Sequence, residues 1–118
     1  MATVLLVDDA AFMRTRCAKL LKDEGYEVVE AENGLDALAK YTASKPDAVL
    51  MDVTMPEMDG LQALKEIRKV DPAARVTMVT AMGQQDLVME ALKSGAQDYV
   101  LKPFQPARVL DAVKKMTA

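Results

Sequence analysis

The chain has 118 residues, 51% of them hydrophobic and 28% charged, which is one domain by length with enough apolar surface for a core. A net charge of −3 with scattered basic residues leaves no electrostatic footprint for nucleic acid. The absence of histidine excludes an imidazole base or metal ligand, and the single cysteine, Cys17, excludes an internal disulfide and zinc-ligand spacing.

The first element is the apolar run Thr3–Val7, which passes directly into Asp8-Asp9. A helix is predicted over Ala11–Glu24. Met13, Cys17, Leu20 and Leu21 fall on one stripe, with Arg14, Arg16, Lys19 and Lys22 outward. Gly25 stands where a helix ends. Glu27–Ala31, more polar at its ends, suits an edge strand, and Asn33-Gly34 marks a turn before a helix over Leu35–Ala43. Ala48–Met51 is a second continuous apolar run and ends on Asp52. Asp59-Gly60 marks another turn, followed by a helix over Leu61–Val70. Val76–Val79 runs into Thr80, Gln85–Ser94 reads as a helix closed by Gly95, and Tyr99–Leu101 runs into Lys102. The last helix, Pro106–Met116, repeats Val109, Val113 and Met116 at helical spacing.

Five strand–helix units predict an α/β fold with a parallel sheet and helices on both faces, in a single domain over residues 1–118. The uninterrupted apolar runs suit strands covered on both sides. Ligands bind such sheets outside the carboxyl ends of the strands, and the flavodoxin-like order 2-1-3-4-5 places the first and third strands side by side. Asp8, Asp9 and Asp52 then converge, with Thr80 and Lys102 on the same edge. Three ionised carboxylates together are costly without a cation, and a hard divalent ion such as Mg²⁺ with oxygen ligands answers that cost. Taken singly, Asp8-Asp9 also read as N-cap acids, Asp52 as a solvated turn residue, Thr80 as strand filler and Lys102 as a surface lysine. Together they outline attack by an aspartate on phosphorus, with Lys102 and Thr80 neutralising the phosphoryl oxygens. Lys102 precedes Pro103, where a cis peptide bond is permitted.

Val7-Asp8-Asp9, the segment from Met51 to Gly60, Val79-Thr80-Ala81 and Leu101-Lys102-Pro103-Phe104, in this order, resemble a bacterial response-regulator receiver domain over essentially the whole chain. That resemblance implies a phosphoprotein that accepts phosphate on Asp52 from a CheA-like histidine kinase. It implies Mg²⁺ on Asp9, Asp52 and the Thr54 carbonyl, with Asp8 acting mainly through water. Thr80 and Lys102 would hold the phosphoryl group, and Tyr99 would be the aromatic switch residue beside Thr80. Output would pass through the face formed by helix 85–94, strand 98–101 and helix 106–116.

Within the family the likeness is to single-domain chemotaxis regulators, carried by Asp9–Arg14, by Ala81-Met82-Gly83-Gln84-Gln85 and by Gln105. It implies a flagellar motor switch protein as output partner, a phosphatase as a further one, and a monomer. Thr54 and Met82 depart from the enteric pattern at positions that line the route of the hydrolytic water, so they are expected to set the phosphoryl lifetime. Alternatives are a phosphorelay intermediate and, from another class, a Mg²⁺-dependent aspartyl phosphohydrolase. Against the latter, Thr54 stands where an acid for the leaving group is needed. A flavin-binding domain lacks its glycine- and serine-rich phosphate loop here. Self-phosphorylation with slow self-dephosphorylation would not make the chain an enzyme in the usual sense. No apolar stretch approaches the ~20 residues that span a bilayer, and no signal-peptide pattern precedes the first strand, so a cytoplasmic, membrane-free protein is expected.

Overall fold

Parallel strands covered on both faces need apolar side chains at successive positions, and the first and third runs supply them. In the computed structural model, which describes residues 2–53, 58–81, 84–103 and 105–118, β1 (Thr3–Val7) and β3 (Ala48–Asp52) lie in the middle of a five-stranded sheet. The others are β2 (Glu27–Ala31), β4 (Val76–Thr80) and β5 (Asp98–Leu101), in the order β2-β1-β3-β4-β5, all pairs parallel. This is the predicted order. Asp52 and Thr80 are the last residues of their strands rather than the first beyond them, and Asp98 opens β5.

The helices are α1 (Ala11–Asp23), α2 (Gly34–Ser44), α3 (Gly60–Val70), α4 (Gln85–Lys93) and α5 (Pro106–Thr117), each within a residue of its predicted span at either end. Strand alternation sorts them into two layers. Val4, Leu6, Ala48 and Leu50 pack with Cys17 and Leu21 of α1 and with Val109, Val113 and Met116 of α5. Leu5, Val7, Val49 and Met51 pack on the other face with Ala37 and Tyr41 of α2, Leu64 and Ile67 of α3 and Ala91 of α4. Each fully buried large apolar side chain contributes roughly 1.5–3 kcal/mol. β2 and β5 are the edges, and only Ala31 and Val100 in them are fully buried. Among the described residues no helix is long and apolar enough to cross a membrane.

Two dipeptides expected to mark turns are helix starts. Asn33 Oδ1 accepts the Asp36 amide at 2.8 Å and Asp59 Oδ1 accepts the Gln62 amide at 2.8 Å, so each caps the helix that its glycine begins. Gly25 and Gly95 follow the ends of α1 and α4 at φ 93° and 109°, the left-handed conformation that only glycine adopts without strain. Arg14, expected to face outward, folds back, and its side chain is 17% exposed.

Gly60 fixes the third strand end. Its amide donates to the Val53 carbonyl at 2.8 Å, and a β-carbon there would run into the backbone carbonyl of Asp52. Gly60→Ala is therefore expected to lower stability by about 1–3 kcal/mol, measured by chemical denaturation. A loss below ~0.5 kcal/mol, within the range of an ordinary surface substitution, would show that α3 moves freely off the strand.

Candidate functional site

The ladder continues one residue beyond the strands and holds the polar ends in place. Asp8 donates its amide to the Ala31 carbonyl at 3.1 Å, Val53 to Val79 at 3.0 Å, and Lys102 to Thr80 at 2.7 Å. The peptide bond from Lys102 to Pro103 is cis. With the backbones so pinned, the side chains of Asp8, Asp52 and Lys102 meet in one crevice at the carboxyl edge of the sheet.

Carboxylate oxygens of Asp8, Asp9 and Asp52 all lie within 4.8 Å of one another. Asp8 and Asp52 are buried and Asp9 is exposed at the mouth. The Lys102 ammonium sits 3.2 Å from Asp8 Oδ2 and 3.2 Å from Asp52 Oδ2. Neither aspartate of the first pair caps α1. Ala10 is the N-cap and receives no side-chain bond, while Asp8 Oδ1 accepts the Ala10 amide at 2.9 Å. Asp52 is no solvated turn residue either, being 6% exposed at the end of a central strand.

Electrostatics follow from this crowding. Each ionised carboxylate pair at such separations repels by a few kcal/mol at an effective dielectric near ~20. Burial pushes the Asp52 carboxyl up from 3.8 to about 6, with Asp8 and Asp9 adding to the rise and Lys102 opposing it. Burial pulls the Lys102 ammonium down, but Asp52 and Asp8 outweigh it and hold its pKa above the usual lysine value. One ammonium against three carboxylates leaves two negative charges, the charge of one divalent cation. The donor set is all oxygen, as a hard cation requires. The upper limit of 4.8 Å on the oxygen separations is close to the ~3–4 Å between two ligands of one octahedral Mg²⁺. The residues present fit that ion.

Thr80 is 1% exposed at the end of β4, and its carbonyl accepts the Lys102 amide. Its hydroxyl donates to Gln84 Oε1 at 2.7 Å rather than to the acidic cluster. Tyr99 pairs with Met78 across the ladder, is 41% exposed, and lines with Thr80 a cavity of about 240 Å³ between α4 and β5. Thr54 and Met82 lie outside the described residues, as does Phe104. Sequence reasoning missed two side chains. Arg14 donates from Nη1 to the Asp8 carbonyl at 2.6 Å and from Nε to Glu30 at 3.1 Å, tying the loop after β1 to β2. Gln84 is the other. Glu30 in the adjacent strand was the one signal for Arg14, and a polar residue opening a helix was all there was for Gln84. Cys17 is buried, and burial with Asp8 nearby pushes its thiol up to about 12, so it is an inert core residue.

Residues 4–114 match the family model described as the response regulator receiver domain, and the chain belongs to that family. It is 56% identical over 116 residues to the chemotaxis protein CheY of Listeria monocytogenes, covering 98% of each chain. It is 54% identical over 115 residues to the chemotaxis protein CheY of Thermotoga maritima, covering 97% of this chain and 96% of that one. Among solved structures it is similar to the CheX–CheY–BeF3–Mg complex from Borrelia burgdorferi, with a TM-score of 0.93, 35% identity and coverage of 99% and 90%.

The raised Asp52 carboxyl has a consequence for stability. Folded Asp52 keeps a proton that unfolded Asp52 gives up between pH 3.8 and about 6. The contribution of Asp52 to stability therefore falls as pH rises through that window and is lowest above it. In the presence of a chelator, Asp52→Asn is expected to raise the Tm above pH 6, and the gain is expected to shrink as pH falls toward 4. Thermal unfolding on both sides of the window checks this, and a gain independent of pH would place its origin elsewhere.

Proposed function

We propose that this protein is a phosphorylation-controlled receiver in two-component signalling, in which Asp52 accepts a phosphoryl group from a histidine kinase of the CheA kind. The observation that carries the reading is the meeting of Asp8, Asp9 and Asp52 oxygens within 4.8 Å, with Lys102 3.2 Å from two of them. An Asp52 carboxylate oxygen attacks phosphorus, an O–P bond forms, the N–P bond of a phosphohistidine breaks, and the ring, protonated beforehand on its other nitrogen, leaves as neutral imidazole.

Asp9 and Asp52, with Asp8 and the Thr54 carbonyl, are the residues to hold Mg²⁺, which neutralises charge on the transferring oxygens when bound. Lys102 moves from its two carboxylates toward the phosphoryl group, and the Thr80 hydroxyl donates to another of its oxygens. Tyr99 turns into the space beside Thr80, and the surface of α4, β5 and α5 takes its second arrangement. Thr54 and Met82 tune the rate at which water removes the group. The chemotaxis names of the similar proteins support a flagellar motor switch protein as the output partner, and the CheX complex of the Borrelia relative supports a phosphatase. A monomer working in the cytoplasm, with no membrane or nucleic-acid partner, fits this role. The chain signals by binding and modifies only itself.

Beryllofluoride with Mg²⁺, a phosphoryl mimic, is expected to shift amide resonances of α4 and β5 in the wild type and to leave Asp52→Asn unchanged, as followed by NMR titration. Persistence of the response in Asp52→Asn would remove Asp52 from the role.

A further inference from the structure

Gln84 stands at the N-terminal boundary of α4 but caps none of that helix's amides. Its side chain turns back instead. Oε1 accepts the Ala81 amide at 2.9 Å and the Thr80 hydroxyl at 2.7 Å. A backbone amide can only donate, so the atom it meets is the oxygen of the Gln84 amide and not the nitrogen. At 2.7 Å from an oxygen that can only accept, the Thr80 hydroxyl gives its single proton there, the other acceptor in reach, the Ala81 carbonyl, being more distant at 3.3 Å. While it does so, it has none to give to a phosphoryl oxygen on Asp52.

We infer that Gln84 is a latch on Thr80, a positioning residue that holds the hydroxyl in its off orientation and that a phosphoryl group must displace. The inference rests on the reading of Asp52 as phosphoacceptor and Thr80 as its hydroxyl donor. Two further features make the latch movable and its release visible. The cavity of about 240 Å³ below it, lined by Thr80, Gln84, Val88, Met89, Leu92 and Tyr99, gives the amide and the hydroxyl room to part without opening the core. α4 is also weakly anchored, burying Val88 and Ala91 where α3 and α5 each bury four residues. Release of Gln84 therefore frees the start of the helix that has least packing to lose. The latch sets how much of the phosphoryl group's interaction is used in breaking a bond already present.

Beryllofluoride with Mg²⁺ tests it. Gln84→Met keeps the length of the side chain and removes the acceptor, and is expected to tighten binding of the mimic about three- to tenfold, the worth of one neutral hydrogen bond. In a Thr80→Ala background the same substitution is expected to change nothing, because the latch acts through the hydroxyl. A merely structural role would weaken binding or shift both backgrounds alike. Binding by Gln84→Met no tighter than wild type overturns the latch, as does an equal gain in the Thr80→Ala background. If unfolding curves show that methionine disturbs the fold, Gln84→Ala at this half-exposed position carries the same test. Asp52→Asn run alongside separates the two levels. A response retained there removes the phosphoacceptor reading, whereas loss there with no gain in Gln84→Met removes the latch alone.

Discussion

Three carboxylates within 4.8 Å and one ammonium among them form the constraint on which the rest of the structure depends. Left to themselves these side chains would separate into water. They stay together because the backbone beneath them is not free: Val4 to Val7 and Ala48 to Met51 are buried on both faces, and their burial fixes where β1 and β3 end. Several buried apolar side chains, each contributing about 1.5–3 kcal/mol, outweigh a repulsion of a few kcal/mol per carboxylate pair. Lys102 reduces that repulsion without removing it. Its third-party role also explains why it is available for another anion. It is shared between two carboxylates, each 3.2 Å away, by charge and hydrogen bonding, and a more highly charged group could draw it away.

The sheet divides into a fixed side and a yielding one. Around Asp8 and Asp52 the loops are tied by backbone bonds to Ala31 and Val79, by Arg14 to the Asp8 carbonyl, and by Gly60 against Val53. On the other side β5 is an edge strand with one fully buried residue, and α4 rests on two. Chemistry needs precise placement, which the fixed side provides. A signal needs an element whose alternative arrangement is close in free energy, and sparse burial provides that. Thr80 belongs to both sides. Its backbone is locked in β4 and its hydroxyl is bonded to the start of α4.

Much of this was legible in the sequence, for identifiable reasons. Period and run length report where a Cα–Cβ bond points, so the strands and the helix stripes could be read directly, and the convergence of Asp8, Asp9, Asp52 and Lys102 followed once the flavodoxin-like strand order was adopted. Asn33 and Asp59 were legible as punctuation but not as caps, because the same residues serve turns and helix starts until the backbone on each side is known. Arg14 was misplaced because periodicity locates its Cβ and not its guanidinium, which reaches back several ångströms to Asp8 and Glu30. Gln84 escaped for the same reason. Its Cα begins α4, yet the acting atom lies beside Thr80. Tyr99 was placed on its strand by pattern and beside Thr80 by resemblance, and the structure adds the register opposite Met78 and the cavity that Tyr99 and Thr80 line together.

Magnitudes decide how such a device switches. A tenfold change in the population of the output arrangement takes about 1.4 kcal/mol, and a hundredfold change about 2.8. A phosphoryl group can supply this only through contacts that differ between the two arrangements. Exchanging the neutral Thr80–Gln84 bond for a charge-assisted one gains about 1 kcal/mol, since such bonds are roughly twice as strong. Lys102 gains little from the exchange of partners, because it already has two carboxylates 3.2 Å away. The hydroxyl alone thus falls short of a hundredfold switch. The remainder must come from packing, and the space between α4 and β5 is where packing can improve. Tyr99, 41% exposed at its border, is the aromatic side chain there with apolar surface left to bury, alongside Met89 and Leu101. Filling the cavity with that ring adds a hydrophobic gain of the same order as the hydrogen-bond exchange. On the proposed reading, polar chemistry at the strand ends would start the shift, and burial at the sheet edge would complete it.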